Sequence, residues 1–384
     1  MRTAAAATLL LLSACGGAPT TTTVASNTTG AGDGSSSTSA PAATAAPCPD
    51  APATAAQSDE PDADIMQLAA AAKSCEFSSG SFAWECPAYK EWRGENEDLF
   101  EGPNANATLL KMLEDSDVRM RTLVAEHGFY AARGFFADKK RSERLLAVVE
   151  KERESRLLRA YGKFVAHING EKVLGKELQA LAKNPATEFR ASFAEYALPQ
   201  HPNDFSLGLV KLFIDDPDWA VRRSAIRSLS ANGRTRPTEK ICELTKAQLV
   251  RDDKLAEDAL DAASSSKCKG MDAMVMAEIE KRAKDPAKLG AKDGPNLSSP
   301  LSQLCWRSAT PENLKKRAFD VAVKVTPRVE DNWRQRSWMN LLRRCDASRA
   351  KAALTPYLKS KDKDTAAEAK RELESLEEEL ARNK

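Results

Sequence analysis

From Asp64 to Lys384 apolar residues recur at intervals of three and four, with polar residues between them. That spacing places one face of a helix against a core, and no stretch shows the strict alternation of a half-buried strand. The clearest unit is Asn203–Gly233. Phe205, Leu209, Leu212 and Phe213 share a face of a first helix, and Asp216-Pro217 predicts an N-cap followed by a first-turn proline. Val221, Ala225, Ser228 and Leu229 form the predicted buried stripe of a second helix, with Arg223 and Arg227 one turn apart elsewhere, and Asn232-Gly233 closes the unit.

The phase repeats. Asn184-Pro185 opens a helix carrying Phe189, Phe193 and Ala197, and Pro185 to Pro217 is 32 residues; Ala225 to Ala259 is 34. Looser copies begin at Asp117-Val118-Arg119, Thr310-Pro311, Asp331 and Lys363. Such a period predicts stacked helix pairs, none able to bury its apolar face alone. The run Asp215-Asp216-Pro217-Asp218-Trp219-Ala220-Val221-Arg222-Arg223-Ser224-Ala225 resembles the second-helix signature of HEAT and armadillo-type repeats, and Asp117-Val118-Arg119 repeats its centre. The resemblance implies an all-α solenoid over residues 103–384. At its end Thr365 with Glu368 reads as a capping box. Ala366, Ala369, Leu373, Leu376 and Leu380 then face the last repeat, and Glu377, Glu378 and Glu379 face water.

The N-terminus reads differently. Ala4–Leu12 is apolar but short of the roughly 20 residues a membrane-spanning helix needs. The short basic start and small residues ahead of a cut site fit a secretory signal over residues 1–14. Leu12-Ser13-Ala14-Cys15 resembles the lipobox of bacterial lipoproteins, which implies that Cys15 becomes a lipidated mature N-terminus. Gly16-Gly17 in place of an Asp resembles sorting to the outer membrane. Residues 15–63 then hold the lipidated Cys and a Thr/Ser/Ala/Pro-rich tether. From Gly16 to Ala63 it has no Lys, Arg or aromatic residue, a composition expected to stay disordered and to reach about 40 Å.

Composition adds limits. The chain has 384 residues, 57 Lys+Arg against 55 Asp+Glu, and three His. So balanced a charge gives no reason to expect a nucleic-acid partner. Residues 64–102 hold eight acids against three bases, with Trp84 and Trp92, and read as an acidic N-terminal cap; from Pro103 onward 53 bases face 42 acids. Lys139-Lys140-Arg141 and Arg334, Arg336, Arg343 and Arg344 are candidates for a basic surface. With Cys15 lipidated and Cys48 alone in the tether, six cysteines remain. Local pairing gives Cys75–Cys86, Cys242–Cys268 and Cys305–Cys345, as disulfides suited to an exported protein or as buried thiols.

Candidate chemistry is sparse. None of His127, His167 or His201 precedes a Glu, and no nucleophile elbow, phosphate loop, dinucleotide fingerprint or Cys-x-x-Cys occurs. Asn27-Thr28-Thr29 and Asn106-Ala107-Thr108 match a glycosylation pattern by chance in a bacterial setting. No catalytic residue, metal ligand or cofactor is therefore assigned. The expected function is a membrane-anchored scaffold that binds an unidentified exported or envelope protein. The alternative is an envelope enzyme or carbohydrate-binding α/α domain, with Trp84, Trp92, Trp306, Trp333 and Trp338 lining a cleft, although Trp333 and Trp338 fall on different sides of a helix.

Overall fold

The computed structural model describes residues 60–94, 100, 104–126, 138–230, 237–251, 253–291 and 294–382. Cys15, Cys48, the signal, most of the tether, His127-Gly128-Phe129-Tyr130 and Asn232-Gly233 lie outside the described residues.

The described chain is predominantly helical. Helix α1 (Ala63–Lys73) is capped by Asp62, whose carboxylate accepts from the Asp64 and Ile65 amides. A two-stranded hairpin, β1 (Phe77–Ser78) and β2 (Ser81–Phe82), turns through Ser79 and Gly80 at positive φ. The pattern of the chain does not predict these strands, because two residues are too few to show alternation. Helix α2 (Pro87–Arg93) begins on a proline. The cap is tied directly to the first helix pair: Trp92 donates its indole N–H to Leu123 O at 3.1 Å, and Asp62 N reaches Thr108 Oγ at 2.6 Å.

The first pairs are α3 (Ala105–Leu113) with α4 (Val118–Glu126), α5 (Lys139–Lys151) with α6 (Ser155–Ala166), α7 (Gly175–Leu181) with α8 (Thr187–Gln200), and α9 (Asp204–Ile214) with α10 (Trp219–Ser228). Next come α11 (Glu239–Leu249) with α12 (Ala256–Ser265), and α13 (Met271–Arg282) with the short α14 (Pro286–Gly290) and α15 (Ser298–Trp306). Last are α16 (Glu312–Val325) with α17 (Asn332–Cys345), and α18 (Ala347–Leu354) with α19 (Lys363–Arg382). The second members pack side by side in chain order, α4 on α6, then α8, α10, α12, α15, α17 and α19. Among the first members, α3 packs on α5, α11 on α13 and α13 on α16.

The expected stripes are buried: Val221, Ala225, Ser228 and Leu229 in α10, and Phe189, Phe193 and Ala197 in α8. Leu212 is not; it is 53% exposed. Helix α9 buries Leu207, Val210, Phe213 and Ile214, and a residue two places past Val210 lies about 200° round the helix from it. Leu380 is also exposed, while Ala369 and Leu376 are buried. Thr365 does not cap α19. The helix starts earlier, with Asp362 Oδ1 accepting from the Asp364 and Thr365 amides, and Thr365 Oγ donates to Gln335.

The three local cysteine pairs are at bonding distance, with S–S separations of 1.95 Å for Cys75–Cys86, 2.05 Å for Cys242–Cys268 and 1.98 Å for Cys305–Cys345. Disulfides persist where the surroundings are oxidising. Among the described residues no helix is long and apolar enough to cross a membrane.

One apolar cluster runs from Ile65 to Ala262 and a second from Leu249 to Leu376. Helix α12 serves both, with Ala259 and Ala262 in the first and Leu260 and Ala263 in the second. A close crossing is at Gly162 in α6, where an added Cβ would lie 2.4 Å from Phe189 O and 2.9 Å from Phe193 N in α8. Gly162→Ala should therefore lower thermal stability, by about 1–3 kcal/mol. Gly208→Ala, in α9 with nothing within 4 Å of the new methyl, should raise it by up to about 1 kcal/mol. Equal melting temperatures for the two variants would contradict this packing.

Candidate functional site

Three second helices, α4, α8 and α10, are entered through a turn closed by an Asn or Asp side chain. Asp115 Oδ1 accepts from Asp117 N at 2.7 Å, Asn184 Oδ1 from Ala186 N at 2.9 Å, and Asp216 Oδ1 from Asp218 N at 2.8 Å. The Asp216 side chain thus closes the turn, and Asp218 two residues later is the true N-cap of α10. Six residues after each turn residue stands an arginine, Arg121, Arg190 or Arg222, whose guanidinium donates back to the first two carbonyls of the turn at 2.6–3.1 Å. This Asx-x5-Arg spacing is readable in the sequence, and in the run that carries the resemblance its arginine, Arg222, is the arginine of the Val-Arg pair. Arg190 also pairs bidentately with Asp216 of the next turn, at 2.8 and 3.1 Å, and both residues are buried.

The second helices then carry a polar surface from α10 to α19. Arg223 and Arg227 converge on buried Asp258 of α12, Arg223 at 3.0 Å from both carboxylate oxygens and Arg227 at 2.7 Å from one. Beside Asp258, Glu257 accepts from the Asn296 amide. Asp261 is different. Burial, then the charges of Glu257 and Asp258, push its carboxyl up to about 6 against the opposing Ser299 hydrogen bond, and Oδ1 has no hydrogen-bond partner among the described residues. Asp216 behaves oppositely: burial alone would raise it, but hydrogen bonds from Arg190 and the Asp218 amide, with the charges of Arg190 and Arg222, hold it below the usual carboxylate range.

Between α15, α17 and α19 the surface opens into a cleft of about 470 Å³. Ser299, Ser302 and Gln303 line it from α15, Trp333, Arg336, Ser337 and Asn340 from α17, and Glu368 and Glu372 from α19. On α17 the positions 333, 336, 337 and 340 form one helical face. The Cys305–Cys345 bond joins the other ends of α15 and α17. The side chains of the cleft can hydrogen-bond and stack.

Other candidate residues are not gathered into a site. Trp92 and Trp338 are core residues, at 1% and 0% exposure, so five tryptophans do not share one cleft. Most of the groups of the expected basic surface are engaged within the protein. Arg334 is buried and donates to the carbonyls of Leu289, Ala291 and Pro295, Arg343 pairs with Glu372 and Glu379, and Arg336 pairs with Asp364. Lys139 and Arg141 lie near Glu143 and Asp138. His201 Nε2 lies 2.8 Å from His167 O, and burial, aided by the positive charge of His201 and Lys163, pushes the His167 ring down to about 4. Asn106 is buried in α3. Among the described residues no group of three or more His, Cys, Asp or Glu is placed to hold a metal ion. Neither protein-family models nor curated protein sequences match the chain.

The two aspartates have opposite linkage. Asp216, with its native pKa depressed, contributes stability above its unfolded value that is lost as pH falls below about 4. Asp261, with its native pKa raised, binds a proton more tightly when folded, so it costs stability as pH rises from about 4 to 6 and beyond. Urea unfolding should show Asp216→Asn destabilised at pH 7 by about 3–5 kcal/mol, because buried Arg190 loses its partner. Asp261→Asn should be more stable than wild type at pH 7.5 and lose that advantage at pH 4. A pH-independent difference for Asp261→Asn would contradict the assignment.

Proposed function

We propose that this chain is an exported bacterial lipoprotein, anchored through Cys15 and held off the membrane by the Gly16–Ala63 tether. Its folded part is read as a HEAT-like solenoid that serves as a scaffold for another exported protein. The observation that carries the repeat reading is the Asx-x5-Arg turn, found at Asp115, Asn184 and Asp216, together with the side-by-side order of the second helices. A fold assembled this way presents one continuous surface made of successive helices, a form suited to grasping another protein. Three disulfides suit an exported location. The lipobox resemblance supplies the anchor, since several acyl chains at about 0.8 kcal/mol per buried methylene hold a protein on a bilayer where one chain does not. The outer membrane is the favoured destination, from Gly16-Gly17.

Cys15→Ala expressed in a bacterial host should fail to incorporate labelled palmitate and should move from the membrane to the soluble fraction; retained label would overturn the anchor. Affinity capture from detergent-solubilised envelopes should return one stoichiometric exported protein. Its recovery should fall when the exposed Trp219 and Trp306 of the second-helix surface are both changed to Ala. No stoichiometric partner, or a partner retained fully by that variant, would remove the scaffold reading.

A further inference from the structure

We propose that the cleft between α15, α17 and α19 binds a neutral saccharide, with Trp333 stacking on a sugar ring and the serine and glutamine side chains around it pairing with sugar hydroxyls. The proposal stands on the cleft alone and does not rest on the scaffold reading.

Trp333 is 67% exposed, and no cation or ring covers it among the described residues. Each of the other exposed tryptophans has an arginine at its ring: Arg344 lies 3.8 Å over Trp306, Arg93 3.2 Å over Trp84, and Arg223 5.1 Å from Trp219. A bare indole at the rim of a polar cleft offers a flat apolar face to one side of a ligand. The C–H face of a pyranose matches it, because such a ring is apolar on its faces and hydroxylated round its edge.

The charges of the cleft are spent within the protein. Arg336 is 3.0 Å from Asp364, Glu368 pairs with Arg371, and Glu372 accepts from Asn340 and Arg343 at 2.8 and 2.6 Å. An anionic or cationic ligand would have to compete with these pairs. The Asn340 amide is already engaged at both ends, donating to Glu372 and accepting from Arg344. What remains are Ser302 and Gln303, neutral groups that both donate and accept, as sugar hydroxyls do, and the acceptor capacity of Ser337, whose hydroxyl donates to Trp333 O at 3.5 Å. The volume, about 470 Å³, is within the usual range for small-ligand sites. The disulfide at the far end of the α15–α17 seam fixes the spacing, so little ordering is left to occur on binding.

The test is titration of the purified folded protein with cellobiose, chitobiose and maltose, followed by saturation-transfer NMR and calorimetry, with a neutral-glycan array for breadth and glucose 6-phosphate as the charged comparison. At least one neutral sugar should bind saturably. Trp333→Ala and Gln303→Ala, both at exposed positions, should each keep the wild-type circular dichroism, and Trp333→Ala should weaken binding about tenfold or more. Trp306→Ala should leave it unchanged. The proposal is overturned if no neutral sugar binds up to about 20 mM, a weaker limit than most specific sites show. It is equally overturned if Trp333→Ala binds as wild type does, if glucose 6-phosphate binds more tightly than its neutral counterparts, or if the cleft takes a peptide and no sugar.

Discussion

Arg190 makes two kinds of hydrogen bond with one side chain. It closes the turn that begins its own helix, through the carbonyls of Asn184 and Pro185, and it grips both oxygens of Asp216 in the turn of the following pair. A helix start leaves backbone groups unpaired, and a buried turn must satisfy them locally. Meeting that demand with a charged side chain creates a buried cation, which then requires an anion in the next pair. Local capping and pair-to-pair stacking are thereby one interaction. The arrangement makes the register of α8 against α10 difficult to change, because a slip would separate buried Arg190 from buried Asp216.

Where this device fades, others take its place. After Asp216 the next turn residue, Asp253, is gripped by Arg251 from the preceding side, at 2.6 Å, and no arginine stands six residues on. There the apolar interior divides, with α12 contributing to both parts. One of the three disulfides spans this point, joining α11 to the chain before α13, and another lies beyond it, joining α15 to α17. Cross-links that restrict the unfolded chain contribute about 3 kcal/mol for loops of this order. The second half thus replaces a repeated ionic seam with covalent ties and with isolated anchors such as Arg334.

The division also explains what could be read from the sequence. Helical content, the buried stripes of α8 and α10 and the local cysteine pairing were legible, because period, proline placement and cysteine spacing each act within a few tens of residues. Cap positions were less so. Asp216, Asp218, Asp362 and Thr365 are all competent caps by type, and the choice among them depends on which backbone amides the tertiary structure leaves unpaired. Leu212 and Trp338 show the same limit for burial: one faces solvent and the other the core, although hydrophobicity alone treats them alike. The basic groups misled for a related reason. Formal charge is counted along the chain, whereas Arg334, Arg336 and Arg343 find their partners 28 to 45 residues away.

That consumption of charge shapes what recognition is left to the surface. From α10 to α19 the ion pairs run between adjacent helices, so the face they cover is polar but carries little free charge. A partner drawn by long-range electrostatics would find few unpaired ions to steer it. Selectivity on such a face has to come from shape, from hydroxyl and amide groups with unspent hydrogen-bonding capacity, and from aromatic surface. Arginine stacking removes most of the last, since it holds three exposed tryptophans against cations of the same chain. Trp333 stands outside that pattern. It begins α17 beside Asp331, the cap, whose Oδ1 is occupied by the Arg334 amide, and the Arg334 side chain is turned inward to three carbonyls. The nearest arginine in sequence is therefore unable to cover the indole, and the helix start that buries Arg334 is what leaves Trp333 bare.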